Sequence, residues 1–145
     1  MSSGVGDRTE GAFLGALVRE GCTVLVPFGQ HHPYDLVVDT GPGGFVRIQC
    51  KTGWERNGGI EFNSSSTDHG RGHQHYRGRA DLFGIFVPSL NELFLMPVEL
   101  AASRRTHLRL TATANNQALR VRYADDFRFE RHVGGLRPAA SLRAA

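Results

Sequence analysis

The stretch Tyr34–Thr52, YDLVVDTGPGGFVRIQCKT, decides how this chain is read. Its middle, TGPGG, is turn chemistry, because glycine reaches positive φ and proline fixes its own φ. The flanking runs Tyr34–Asp39 and Phe45–Thr52 are rich in Val, Ile, Leu and Phe, which predicts two strands joined as a hairpin. Centring the hairpin on Pro42 sets Asp35 opposite Gln49 and Val37 opposite Arg47. Side chains alternate along a strand, so Leu36, Val38, Ile48 and Cys50 share one face, the natural core face. Asp35, Gln49 and Lys51 share the other. Lys51 is the only lysine in the chain; the other 16 of its 17 Lys and Arg residues are arginine.

An acid, an amide oxygen and an ammonium at the open end of a hairpin suit metal-assisted phosphodiester cleavage. A hard cation such as Mg²⁺ takes carboxylates, amide carbonyls, backbone carbonyls and water. Asp35 is the expected central ligand, Gln49 offers its side-chain oxygen, and Cys50 offers its backbone carbonyl. Lys51 is placed to orient or activate a water and to offset charge on the phosphate.

Outward from the hairpin, Asp7–Glu20 reads as an amphipathic helix with a buried stripe of Phe13, Leu14, Leu17 and Val18. Asp7 and Glu10 have capping-box spacing, and Gly21 is a natural stop. Glu10 lies on the same stripe and so points towards the hairpin, where it can complete the cation's ligands. Thr23–Pro27 reads as a buried strand and Phe28–Pro33 as a loop. Beyond the hairpin, Trp54–Gly59 reads as a turn, Ile60–Asn63 as a short strand and Ser64–Arg79 as loop. Ala80–Val87 and Glu92–Val98 form a second hairpin, Val98–Arg105 a short helix, and Thr106–Leu110 and Ala118–Tyr123 extended segments. Phe28 and Trp54 read as packing residues. The order of elements predicts an α/β or α+β fold, a mixed sheet with the first helix on one face.

Length and composition fit one soluble domain: 145 residues, 40% of them hydrophobic. We place it at residues 1–132, with 133–145 as a flexible tail. No apolar run has the length of a membrane span and no signal pattern opens the chain, so no membrane and an intracellular, cytoplasmic location are expected. Cys22 and Cys50 make neither a disulfide framework nor a CxxC pair, which leaves them as buried thiols. The formal net charge is +3, and arginine suits bidentate phosphate contacts better than lysine does. The segment around DHGRGHQHYRGR carries Arg71, Arg77 and Arg79 with His69, His73 and His75. It is expected to meet a nucleic-acid backbone through the three arginines, His73 and His75. Ser64 and Ser66 could donate to phosphate, and His32 stands close enough to Asp35 to reach the DNA. A zinc site on the histidines has neither cysteine pairs nor a helical HExxH to support it.

In order, YDLVVD, RIQCKTG, NGGIEFNSSS, YRGRADLFGIFVP and NNQ resemble the PD-(D/E)XK nuclease superfamily, in particular its homing endonucleases associated with group I introns, relatives of archaeal Holliday-junction resolvases. The resemblance runs from about Gly6 to about Phe129. It implies an α/β, restriction-endonuclease-like mixed sheet with flanking helices and cleavage of double-stranded DNA. It also implies dependence on Mg²⁺, for which Mn²⁺ can substitute. Asp35 matches the motif's Asp, Gln49 its Asp/Glu position, Lys51 its Lys, and Glu10 the acid of the first helix. Gln49 departs from the usual carboxylate, and Tyr34 stands where the motif often has Pro. One site per small chain implies a homo-oligomer, at least a dimer, if both strands are cut. The other readings are a junction resolvase acting on branched DNA, and a DNA-binding module of the same fold that does not cut.

Overall fold

The computed structural model describes residues 4–68, 72–111 and 121–138. Helix α1 spans Gly4–Arg19 and is followed by β1 (Thr23–Leu25), β2 (Leu36–Asp39) and β3 (Phe45–Thr52). Then come β4 (Trp54–Arg56), β5 (Gly59–Asn63), β6 (Ser66–Asp68), β7 (Gly72–Gln74), β8 (Leu82–Val87), β9 (Glu92–Pro97) and β10 (Arg105–Arg109), with the one-turn helix α2 at Phe129–His132. The main sheet runs β1-β2-β3-β8-β9 and is mixed, since β3 and β8 are parallel and the other neighbours antiparallel. A second sheet, β10-β5-β4, and the small β6–β7 hairpin complete the strands among the described residues.

The register of the first hairpin is the one expected: Leu36 pairs with Ile48, Val37 with Arg47 and Val38 with Val46. Leu36, Val38, Ile48 and Cys50 are buried against Phe13, Ala16 and Leu17 of α1 and against Phe129, Val133 and Leu136. Gly84, next to Cys50 in β8, lets the helix approach; a Cβ there would meet the Phe13 ring at 3.0 Å and Ile48 at 3.1 Å. The opposite face of β3 and β8 is also covered. Phe83, Ile85, Phe94 and Met96 pack against Ile60 and Phe62 of β5, Leu108 of β10 and Tyr76. β8 is therefore sandwiched between a helical layer and a second sheet, and its neighbour β3 keeps Gln49 and Lys51 half-buried on the second-sheet side.

Several expectations are corrected. Helix α1 begins at Gly4, so Asp7 lies in its first turn and is not a cap. Its buried residues are Thr9, Phe13, Ala16 and Leu17, whereas Leu14 and Val18 are exposed. The stripe follows the i, i+4, i+7, i+8 spacing and includes a threonine that hydropathy alone passes over. Trp54–Arg56 is a strand rather than a turn; Asn57 and Gly58, with φ of 50° and 73°, make the tight connection to β5. The segment read as loop from Ser64 contains β6 and β7. Val98–Arg105 holds only a single 3-10 turn at Val98–Leu100. Phe28 is 99% exposed and packs nothing. The described start of the expected tail, residues 133–138, packs on the domain: Val133 and Leu136 are buried and Arg137 pairs with Glu20. Asn115–Gln117 and the first half of Ala118–Tyr123 lie outside the described residues.

Candidate active site

The ladder between β2 and β3 ends at Leu36, and what happens there builds the site. β2 begins at Leu36, two residues later than the expected Tyr34. The Asp35 N–H donates to the Ile48 carbonyl at 2.8 Å. Just beyond, the Cys50 N–H has no backbone partner on β2 and donates to Asp35 Oδ2 at 2.9 Å. The carboxylate is thus locked by the strand it faces, on the side of the sheet that also carries Gln49 and Lys51.

Helix α1 brings Glu10 to the same place. The buried Thr9 hydroxyl lies 2.6 Å from that of Thr52, tying the helix to the end of β3 one residue away from Glu10. Burial, the Asp35 charge and a hydrogen bond to Asp35 together push the Glu10 pKa from its ordinary 4.5 up to about 7. Burial also raises Asp35, against the opposing effects of the Cys50 N–H, the Glu10 hydrogen bond and the Lys51 charge. Both shifts favour a proton shared by the pair. Two carboxyl groups close enough to share a proton are a place where a cation can take that proton's role. They open into a cleft of ≈ 270 Å³ lined also by Val26, Pro27, Gln30, His31, His32 and Tyr34.

Gln49 and Lys51 are half-buried beside the pair. The Gln49 Nε2 donates to the Cys50 carbonyl at 3.3 Å, so its Oε1 is the atom a cation would take. Lys51 Nζ donates to the Tyr76 hydroxyl at 3.1 Å and to the Ser65 carbonyl at 3.4 Å. Its charge reaches Asp35. The donors gathered are all oxygen: two carboxylates, an amide and a backbone carbonyl. Among the described residues no group of three or more His, Cys, Asp or Glu assembles. The set fits a hard divalent cation and not a soft one. The Cys50 thiol is buried on the other face, where burial and the Asp35 charge push its pKa far up. Only its backbone belongs to the site.

A family model described as PD-(D/E)XK endonuclease matches residues 2–130. The chain belongs to the PD-(D/E)XK endonuclease family. Its fold is similar to that of a bacterial homing endonuclease, I-Ssp6803I, with TM-score 0.66 and 23% identity over 100% of each chain. It is also similar to Hjc, a Holliday junction resolvase of the hyperthermophilic archaeon Archaeoglobus fulgidus, with TM-score 0.52 and 14% identity over 89% of this chain and 95% of that one. A search of curated proteins finds no match.

Within this PD-(D/E)XK endonuclease, Glu10, Asp35, Gln49 and Lys51 converge as the hairpin register requires. The residues expected on DNA divide. His75, Arg77 and Arg79 are exposed next to Tyr76, and Arg77 also reaches the Glu99 carbonyl at 3.5 Å. His32 rims the cleft, held by the Phe28 carbonyl at 2.7 Å and stacked on Tyr34. Ser66 is half-buried on β6. Arg71 and His69 lie outside the described residues, and of His73 only the strand backbone is described. Ser64 is a correction. It is 3% exposed, gives its hydroxyl to the Ala102 carbonyl at 2.6 Å and accepts from Thr106, so it braces β5 against β10 and cannot reach a phosphate. Asp81 belongs to a separate clamp. It takes the Arg47 guanidinium at 3.1 Å through both oxygens and the Arg47 N–H at 2.7 Å, which holds its pKa below the usual carboxylate value. That clamp fixes the parallel register of β3 and β8. Sequence reasoning missed Thr9, Ser65 and Tyr76, whose contacts to the site come from other layers.

Proposed function

We propose that this endonuclease hydrolyses phosphodiester bonds in double-stranded DNA, as a homing endonuclease does, with the help of a divalent cation, Mg²⁺ or in its place Mn²⁺. The observation that carries the reading is the pairing of Glu10 with Asp35 at the fork of β2 and β3, with Gln49 and Lys51 on the same face. Asp35 and Glu10 would hold the cation, with the Gln49 Oε1 and the Cys50 carbonyl as further ligands. When bound, the cation supplies charge stabilisation at the phosphate and lowers the pKa of a water. The rest is done by the chain. The Cys50 N–H keeps the Asp35 carboxylate in one orientation. On loading, the carboxyl pair would release its shared proton to solvent and Glu10 would serve as a ligand beside Asp35. Lys51 donates to the attacking water or to a non-bridging phosphate oxygen. The water oxygen would bond to phosphorus as the bond to the leaving sugar oxygen breaks, the water's proton passing to solvent and the leaving oxygen taking one from solvent.

The exposed basic residues His75, Arg77, Arg79, Arg104 and Arg105 offer contacts to the phosphate backbone, which position a duplex without reading its sequence. One site per chain makes a homodimer the simplest assembly for cutting both strands. No helix among the described residues is long and apolar enough to cross a membrane; we place the protein with DNA in the cytoplasm. The test is incubation of a randomised duplex library and of a four-way junction with and without Mg²⁺. Mg²⁺-dependent cuts in the duplex, lost in Asp35→Ala and Lys51→Ala, are expected. Preferential cutting of the junction would instead make the protein a resolvase, and binding without cutting under every divalent ion a DNA-binding module.

A further inference from the structure

Lys51 does not stand freely in the cleft. Its ammonium is held from the far side by two groups that bracket the β6–β7 hairpin: the Ser65 carbonyl just before it and the Tyr76 hydroxyl just after it. Tyr76 makes a double contact, because its ring centroid also lies 4.8 Å from Lys51 Nζ. The tyrosine is itself fixed. It is 6% exposed, and its ring stands edge-on to Phe83 at 5.2 Å, which packs edge-on to Phe62 at 5.3 Å. Its carbonyl closes the following turn by accepting from the Arg79 and Ala80 N–H groups. Phe83 is the residue beside Gln49 in the parallel β3–β8 register. The aromatic cluster therefore runs directly under the polar row of the site.

We propose that Tyr76 is the positioning residue of Lys51. This rests on the reading that Lys51 acts in phosphodiester cleavage. A lysine side chain rotates about four bonds and loses much of that freedom when fixed. Fixing it before substrate arrives removes that cost from the reaction step. An ammonium has three protons, and the two contacts with Tyr76 and Ser65 leave one for the water or the phosphate. The phenol hydroxyl sets the direction of that remaining proton, and the ring offsets the partial desolvation of the charge. Lys51 thereby takes its position from residues 65 and 76, not from β3 alone. The segment carrying the exposed His75, Arg77 and Arg79 is thus coupled to the group that faces the phosphate.

Tyr76→Phe tests this, because it keeps the ring and its packing and removes only the hydroxyl. Single-turnover cleavage is measured over a range of DNA concentrations, beside thermal melting and beside Lys51→Ala. The expected result is a rate constant at saturating DNA lowered about tenfold, the size of one hydrogen bond to a charged group. The half-saturating DNA concentration stays within about twofold and the Tm within about 2 °C, since packing and phosphate contacts are kept. A wild-type rate in Tyr76→Phe overturns the proposal. So does a loss accompanied by a raised half-saturation or a lowered Tm, which marks a DNA-binding or structural tyrosine. If Lys51→Ala itself cleaves as wild type does, the underlying reading fails and takes the proposal with it. A dead Lys51→Ala beside an unimpaired Tyr76→Phe refutes the positioning role alone.

Discussion

The two faces of β3 are built on opposite principles, although both are covered. On one face Ile48 and Cys50 are buried in the apolar cluster under α1, and only the edge of that helix, at Thr9 and Glu10, turns polar. On the other, Gln49 and Lys51 sit one residue out of phase and meet carboxylates, a phenol and a backbone carbonyl. The first face obtains its energy from area removed from water, which is tolerant of detail. The second holds half-buried polar groups, each of which needs a particular partner. One strand thus carries a packing surface and a reactive surface, separated only by the two-residue alternation of its side chains. A one-residue slip of register would exchange them, which is why the Arg47–Asp81 clamp at the start of the parallel pair matters.

The comparison breaks most visibly on the reactive face. Asp35→Asn removes the central carboxylate charge at nearly constant shape. Cleavage is expected to fall by about 10³-fold or more, as for loss of a group that stabilises transition-state charge. Thermal melting without divalent ions is expected to be unchanged or higher, because the strain of two neighbouring acids is relieved. A variant that cuts at the wild-type rate would move the site elsewhere. Substitutions on the apolar face should do the reverse. Ile48→Ala leaves a cavity under α1 and should cost about 2–5 kcal/mol of stability in urea unfolding. Gly84→Val forces a side chain into Phe13 and Ile48 and should cost about 1–3 kcal/mol. Equal losses of stability from Asp35→Asn and Ile48→Ala would erase the distinction between the faces.

How much of this could be read beforehand follows the same division. The hairpin register and the apolar face of β3 were legible because turn chemistry and alternation are local signals. Asp35, Gln49 and Lys51 were legible as a set because that register places them, and Glu10 because it lies on the helix face that meets the sheet. The helix stripe was read one step askew. Thr9 is buried for its hydrogen bond to Thr52, and no apolar pattern announces that. Trp54–Arg56 reads as a turn because its Asn-Gly neighbours dominate the local signal, although an Asn-Gly pair between extended residues is itself a hairpin cue. Ser64 was misjudged because a serine in a polar run resembles a surface serine; its burial depends on β10, 42 residues away in sequence. Tyr76 could not be placed for the same reason: its contact to Lys51 spans 25 residues and two layers.

Gln49→Glu sharpens the reactive face by a smaller step. A carboxylate binds a hard cation more tightly than an amide does, so the Mg²⁺ concentration for half-maximal cleavage should fall by about tenfold. In the absence of the ion the same change adds a third acid beside Glu10 and Asp35, so the metal-free protein should melt lower at pH 8 than the wild type. An unaltered Mg²⁺ requirement would remove Gln49 from the ligand set.

The smallest effect is the dependence of metal-free stability on pH, and its sign is unusual. Most carboxylates in a folded protein have lowered pKa values and stabilise it as pH rises. Glu10 is raised from 4.5 to about 7, and Asp35 is raised too, in both cases chiefly by burial. Below about pH 3 both acids are protonated in the folded and unfolded chains, and the pair contributes nothing. Between pH 4.5 and 7 the unfolded chain releases its protons first, so the folded state binds more of them and stability falls as pH rises. About one pH unit above 7 the penalty becomes constant. Glu10→Gln removes the Glu10 charge and its repulsion of Asp35. Its Tm advantage over wild type, measured in EDTA, should therefore be near zero at about pH 3, grow through pH 6 and level off at about pH 8. Saturating Mg²⁺ should reverse the order at pH 8, because the ion binds the wild-type pair and has one ligand fewer in the variant. A Tm difference that does not change with pH would show that the two carboxyl groups do not share a proton, and the reactive face would lose the feature that best marks it as a cation site.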